Sequence, residues 1–186
     1  MGSTSVVEIA SLIKATLSGD PKIPVFGVSL NSNTVEKNEL FAALPGRTAH
    51  GVTFVSQAIK RGASAILTDS AGVKWLDQSD LHIELPVLLV SDPRASLGSV
   101  CKLVYADPAC GMILLGVTGT NGKSTTSSMI YQAARAVGIR AGLIGTLATV
   151  MDGEEVGSVR TTPEAPDLFR TIARMKNGGV KLIVME

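Results

Sequence analysis

One stretch near the middle of the chain constrains its fold more than any other: Gly116-Val117-Thr118-Gly119-Thr120-Asn121-Gly122-Lys123-Ser124-Thr125. An apolar run, Met112 to Leu115, precedes it, and a segment with helical character, Thr126 to Val137, follows. Strand, glycine-rich turn, Gly-Lys-Ser and helix, in that order, is what a nucleoside triphosphate site requires. Glycines let the backbone bend around a phosphate, and the N–H groups that open the helix point at it. A lysine here reaches the outer phosphates, and the serine hydroxyl can bind magnesium. The usual pattern places its first glycine where this chain has Val117, so the loop is a variant with glycines at 116, 119 and 122. An ordinary surface turn is the alternative, and the order of the flanking elements argues against it.

The 186 residues suit one large domain or two small ones. Hydrophobic residues make up 45% and aromatics only 4%, so the core must be built from Val, Ile, Leu and Ala. That composition fits parallel α/β sheets covered by helices on both faces. A formal charge of +1, with Lys and Arg scattered, gives no nucleic-acid surface. Cys101 and Cys110 are too few for a disulfide framework or a zinc site, and reduced thiols in the cytoplasm are the expectation. No apolar run approaches a membrane span, and Met1 to Asp20 lacks the pattern of a signal peptide.

Along the chain, helices and strands alternate. Ser5 to Glu8 forms a capping box for a helix closed by Gly19. Strands are expected at Val25 to Leu30, Leu40 to Leu44, Ser64 to Thr68 and Pro86 to Val90. Helices are expected at Thr53 to Arg61 and from Asp92-Pro93 to Tyr105, with Trp75 in a polar loop as a local core plug. Asp107-Pro108 reads as a boundary, giving domains at 1–108 and 109–186. Beyond the phosphate loop come a strand at Arg140 to Ile144 and a hairpin about Met151-Asp152-Gly153. A helix with Thr162 as its cap and Pro163 in its first turn follows, then a last strand from Lys181 to Glu186. Residues 126–186 supply too few parallel units to cover a P-loop sheet, so the expectation is a chain that stops inside a domain. The mean hydropathy of +0.31 agrees with an unfinished sheet.

Other candidates surround the loop. Glu186 closes Leu182-Ile-Val-Met-Glu, where a P-loop protein holds magnesium through a second contact; an arbitrary last residue is the alternative. Thr161-Thr162 offers hydroxyls and helix-start N–H groups to an anion, or serves only as a cap. Asn31-Ser32-Asn33 and Arg47-Thr48-Ala49-His50-Gly51 are polar loops at strand ends, where α/β folds place ligands; alone, each would be an ordinary turn.

Taken together these segments resemble the Mur ligase family, and within it the branch that adds the third amino acid of the peptide stem. The phosphate loop at 116–125 matches the family's ATP loop, where the valine at 117 is expected. Ser29 to Asn33, Glu39 to Gly46 and His50-Gly51 resemble the N-terminal domain that holds the UDP part of the substrate. Gly142 to Thr146, Thr161 to Ala165 and Val184-Met185-Glu186 are similar to the central ATPase domain of that branch. The resemblance implies an α/β chain: a small UDP-substrate-binding domain, then an incomplete P-loop ATPase-type domain with a parallel sheet.

It also implies roles. Leu30, Ser32, Arg47, Thr48 and Ala49 would contact the UDP-sugar, and Thr161 and Thr162 the muramoyl-peptide end. Gly119, Thr120, Asn121, Gly122, Lys123, Ser124 and Thr125 would hold ATP, with Lys123 catalytic and with Ser124 and Glu186 on Mg2+. The partners would be UDP-N-acetylmuramoyl-dipeptide and an amino acid, meso-diaminopimelate or L-lysine, and the full-length form would be a cytoplasmic monomer. Many relatives read Asp-Ser-Arg where this chain has Asn31-Ser32-Asn33, and Asp where it has His50. The family's carbamylated lysine and amino-acid-selecting domain are missing, so binding without turnover by the chain alone is the expectation. A non-catalytic nucleotide- or UDP-sugar-binding module, a folylpolyglutamate synthase-like ligase and a small-molecule kinase are the other readings. The last is disfavoured by the α/β unit that precedes the loop.

Overall fold

The computed structural model describes residues 4–146, 149–151, 153–155 and 163–186. The chain divides into two units, Met1–Asp107 and Pro108–Glu186.

In the first unit, β1 (Thr4–Ser5) leads into α1 (Val6–Ile13). The Glu8 carboxylate accepts from the N–H and the hydroxyl of Ser5, each at 2.7 Å, so the expected capping box forms. The helix is shorter than expected. Lys14 adopts a left-handed conformation (φ 53°) and ends it, and Thr16–Ser18 becomes β2 rather than helix. The expected strand at 25–30 is split into β3 (Pro24–Val25) and β4 (Gly27–Ser29), which join different sheets. Then follow β5 (Glu39–Ala42), a 3-10 turn at Gly51–Phe54, α2 (Val55–Arg61), β6 (Ala65–Thr68), α3 (Ser70–Gln78), β7 (Val87–Leu89) and α4 (Pro93–Val104).

Strands β4, β5, β6 and β7 pair in parallel in that order, and β2 closes the far edge against β7 in the antiparallel sense. The burial of every residue of β4, β5 and β6 reflects helices on both faces, as the low aromatic and high aliphatic content requires. One core layer gathers Val35, Phe41, Val52, Val55, Ile66 and Leu76. Trp75 packs against this layer from α3, not from a loop. Asp69 caps that helix, its Oδ1 accepting from the Gly72 N–H at 2.8 Å. Gly62 ends α2 with φ +100°, as expected, whereas Gly72 lies inside the first turn of α3, where a Cβ would collide with the Thr68 hydroxyl.

The second unit runs β8 (Ile113–Gly116), α5 (Lys123–Ala136), β9 (Ala141–Ile144), β10 (Thr149–Met151), β11 (Glu154–Glu155), α6 (Ala165–Asn177) and β12 (Leu182–Met185). The sheet order is β11-β10-β9-β12-β8, with β9, β12 and β8 parallel and the β10–β11 hairpin antiparallel. Helix α5 starts at Lys123, three residues before the apolar pattern predicted. Glu164, not Thr162, is the cap residue of α6, with Pro166 in its first turn. Thr162 itself lies outside the described residues. Tyr131, Ala134, Leu143 and Val184 fill one side of the sheet, and Ile144, Ile172, Met175 and Ile183 the other. Strand β8 stands at the edge, with Ile113 60%, Leu114 40% and Leu115 38% exposed.

The loop after β5 is tied to the cap of α3. His50 Nδ1 accepts from the Val52 N–H at 3.1 Å, so its other nitrogen carries the proton in the neutral ring and donates to Asp69 Oδ1 at 3.1 Å. Replacing Asp69 by Ala removes both the helix cap and the histidine's partner. D69A is expected to lower the stability of this unit by about 1–2 kcal/mol. In chemical denaturation followed by the fluorescence of Trp75, the single tryptophan, D69A and H50A should also be non-additive. Strict additivity would show the pair to be uncoupled.

Candidate functional site

Three parallel strands bring the second unit's polar groups to one end of the sheet. Beyond the end of β8 lies the glycine-rich loop, beyond β12 lies Glu186, and beyond β9 lies Thr146. Because β12 sits between β8 and β9, its carboxylate is flanked by both neighbours. The Glu186 N–H donates to the Ile144 carbonyl at 3.0 Å, carrying the ladder one step past the strand.

The loop owes its path to two glycines and one valine. Gly119 (φ +150°) and Gly122 (φ +77°) hold conformations that residues with side chains rarely adopt, and Gly122 is the residue that opens α5. Val117, the departure from the common pattern, donates its N–H to the Met185 carbonyl at 2.7 Å. Its side chain packs on the cluster that contains Tyr131, Leu143 and Val184. A glycine there would leave that contact unmade, so the valine anchors the start of the loop.

Lys123 Nζ donates to the Gly119 carbonyl at 2.7 Å, which holds the ammonium over the loop. Thr120, Asn121, Gly122 and Thr125 are exposed around it, and Ser124 is half-buried. No acidic residue occupies the first turn of α5, so its free N–H groups and dipole face outward unopposed by a carboxylate of their own turn.

Glu186 receives three hydroxyls. Ser124 Oγ and Thr146 Oγ1 each donate to Oε2 at 3.0 Å, and Ser127 Oγ lies 3.1 Å from Oε1. Partial burial pushes this carboxyl up, but the hydrogen bonds from Thr146, Ser124 and Ser127 together outweigh it and hold the group below the usual carboxylate range. It is therefore an anion throughout the neutral range. One carboxylate beside one P-loop hydroxyl is the oxygen set that Mg2+ takes at nucleotide sites, where phosphates and water complete the shell. Among the described residues no group of three or more His, Cys, Asp or Glu could hold a metal by itself. The residues therefore fit a phosphate-bound magnesium rather than an all-protein metal cage.

Beside Ser124 and Glu186 lies a cavity of about 260 Å3, lined also by Ser128, Tyr131, Gln132 and Val150. The Tyr131 hydroxyl accepts from the Gly153 N–H at 2.9 Å, tethering the hairpin to α5, and Arg135 sits 5.7 Å above the tyrosine ring. Thr161 and Thr162 lie outside the described residues.

In the first unit the sequence candidates fall on neighbouring loops. Leu30 and Ser32 follow β4, while Arg47, Thr48 and Ala49 follow β5, its partner in the sheet. The second loop is pinched by a bridge between Pro45 and His50 and by a 2.7 Å bond from the Gly51 N–H to the Leu44 carbonyl, leaving Arg47, Thr48 and Ala49 exposed. Leu30 is half-buried. Ser32 is 5% exposed and donates to Gln57 Oε1 at 2.8 Å, and Gln57 Nε2 donates to Asn33 Oδ1 at 2.7 Å. Gln57, Ser127 and Thr146 were not singled out as functional in the sequence. Their partners lie 24 to 59 residues away, and no local pattern marks such pairs.

Two family models match the chain: the Mur ligase family catalytic domain over residues 24–105 and the Mur ligase middle domain over residues 117–186. The UDP-N-acetylmuramoyl-L-alanyl-D-glutamate–2,6-diaminopimelate ligase of Corynebacterium glutamicum is 39% identical over 184 residues, covering 96% of this chain and 35% of the relative. The ligase of the same name from Streptomyces coelicolor is 36% identical over 186 residues, covering the whole chain and 36% of the relative. The chain thus spans about a third of the length of these curated relatives. Among solved structures, a ligase of that name covers the whole chain at a TM-score of 0.69 and 20% identity, with 36% of its own length matched. A MurF ligase from Thermotoga maritima in complex with ADP covers 86% of the chain at a TM-score of 0.58 and 19% identity, with 31% of its length matched. These two share the fold. With two models of one family matched in succession and relatives aligned along nearly its whole length, the chain belongs to the Mur ligase family.

Proposed function

We propose that this chain provides the UDP-substrate-binding and ATP-binding portions of a ligase that joins an amino acid, 2,6-diaminopimelate by the names of its relatives, to UDP-N-acetylmuramoyl-L-alanyl-D-glutamate in peptidoglycan synthesis. The observation that carries the ATP half is the Ser124–Glu186 hydrogen bond, which couples the P-loop hydroxyl to a carboxylate one strand away. Gly119 to Thr125 would wrap the phosphates, Lys123 would neutralise the outer ones, and Ser124 and Glu186 would hold Mg2+. The bound ion would offset phosphate charge during transfer.

The chemistry demands this arrangement. A carboxylate is a poor acyl donor because hydroxide leaves badly, whereas an acyl phosphate loses phosphate readily. Bringing a substrate carboxylate to a nucleotide sets two anions against each other. Lys123 and the N–H groups of α5 would offset that repulsion and keep the reacting groups in line. The cavity beside Ser124, with Ser128 and Gln132 in its wall, offers room for the substrate's anionic end. Thr161 and Thr162 would hold the muramoyl-peptide as it approaches.

Leu30, Ser32, Arg47, Thr48 and Ala49 form the UDP-sugar pocket in this reading, with Arg47 the one cation among them. Two departures from the family pattern find a physical account. Asn33 engages Gln57 and so steadies Ser32. His50 caps the 3-10 turn through Nδ1, a job a carboxylate at the same place would also do. Among the described residues no helix is long and apolar enough to cross a membrane; a cytoplasmic place for the enzyme is part of the proposed reading. The same reading takes the full-length ligase as a monomer.

Calorimetry separates the two halves. The chain should bind Mg-ATP, and K123A and E186Q should each weaken that binding at least about tenfold, a loss of roughly 1.4 kcal/mol. Nucleotide binding that ignores both substitutions would overturn the ATP assignment. R47A should weaken binding of UDP-N-acetylmuramoyl-dipeptide by about three- to thirtyfold, as expected for one lost charge-assisted contact, and leave Mg-ATP binding unchanged. An R47A chain with unaltered affinity for the UDP compound would place that pocket elsewhere.

A further inference from the structure

Ser127 is the one fully buried polar residue of the second unit among the described residues, at 0% exposure. It lies one turn along α5 from Ser124, on the face turned to the sheet. Its hydroxyl has one proton and two acceptors in reach, the Ser124 carbonyl and Glu186 Oε1, each at 3.1 Å. An anionic oxygen outcompetes a neutral carbonyl for that proton, since charge-assisted bonds are roughly twice as strong. The other carboxylate oxygen, Oε2, faces Ser124 and Thr146, both less deeply placed.

We infer that Ser127 is a positioning residue for the proposed magnesium site: it ties Glu186 Oε1 to the buried side of α5, so that only Oε2 is offered to a cation beside Ser124. The inference rests on the reading of Ser124 and Glu186 as magnesium contacts and adds a consequence to it. Both oxygens carry hydroxyls, but those on Oε2 come from exposed Thr146 and from Ser124, itself a proposed ligand. A cation displaces them more readily than the bond from buried Ser127, so the carboxylate binds through Oε2 alone. That suits a small cation that keeps its waters and strict octahedral geometry. Calcium is larger, accepts two oxygens of one carboxylate and tolerates irregular shells. Ser127 thereby sets metal choice without touching the metal. Ser-to-Ala at this position removes one oxygen and little volume, so the fold is retained and the carboxylate is released to turn.

The test is binding of a fluorescent ATP analogue to the 186-residue chain, titrated separately with Mg2+ and with Ca2+, for wild type, S127A, T146A and E186Q. S127A is expected to raise the Mg2+ concentration needed for half-maximal binding by roughly tenfold, in line with losses on removing partners of metal-ligating groups. Its Ca2+ requirement should move less than about threefold, so the preference for magnesium shrinks. T146A should weaken both ions alike. Circular dichroism confirms that each variant is folded. If S127A keeps the wild-type ratio of the two ions while E186Q loses metal dependence, the positioning role is overturned and the metal site stands. If E186Q leaves metal dependence intact, the metal site itself is overturned, and this inference with it.

Discussion

The pairing of β12 between β8 and β9 is the constraint on which the second unit's chemistry depends. Parallel pairing with no stagger puts Met185 beside Gly116 on one side and Ile144 on the other. Everything that follows each strand is then delivered to one edge of the sheet: the loop, the carboxylate and a hydroxyl. A slip of one residue would turn Glu186 to the opposite face and break all three hydroxyl bonds to its carboxylate at once. The register is held by apolar contacts on both faces, with Val184 in one core layer and Ile183 in the other. Packing deep in the sheet thus sets the position of a charge at its rim.

The first unit follows the same logic with different chemistry. Its parallel strands end in short polar loops, and each loop is braced by side chains from its neighbours. Thr68 Oγ1 donates to the Ala43 carbonyl at 3.0 Å, His50 reaches Asp69, and Gln57 bridges Ser32 and Asn33. The exposed tip at Arg47 to Ala49 therefore rises from a firm base. A binding loop with a rigid root and free side chains loses little conformational freedom when a ligand arrives.

Much of this was legible in the sequence because it is written in local chemistry. The Ser5–Glu8 capping box, the Asp92-Pro93 helix start, Gly62 ending α2 and the phosphate loop before α5 all rest on residues within a few positions of one another. What escaped notice was decided at a distance. Thr16 to Ser18 is a strand only because β7 offers an open edge, and Trp75, expected in a polar loop, lies in a helix that Asp69 caps. Val117 was expected from the family resemblance, but its physical reason, a side chain packed on the cluster that holds Tyr131 and Val184, is visible only in the fold. Ser127 carries no signal of its own; a serine in a helix is usually a surface residue, and only the fold reveals that it meets Glu186.

In mechanical terms, strand β8 is a beam held along one side. It carries the phosphate loop, and among the described residues it is hydrogen-bonded to β12 alone, with Ile113, Leu114 and Leu115 open to solvent. A beam fixed along one side is free to fray, and the first-turn N–H groups of α5 aim only as well as the strand that feeds them. Whatever covers this edge would sharpen the loop's geometry without touching a phosphate. By linkage, a nucleotide gripped by the loop would in turn make that edge easier to cover.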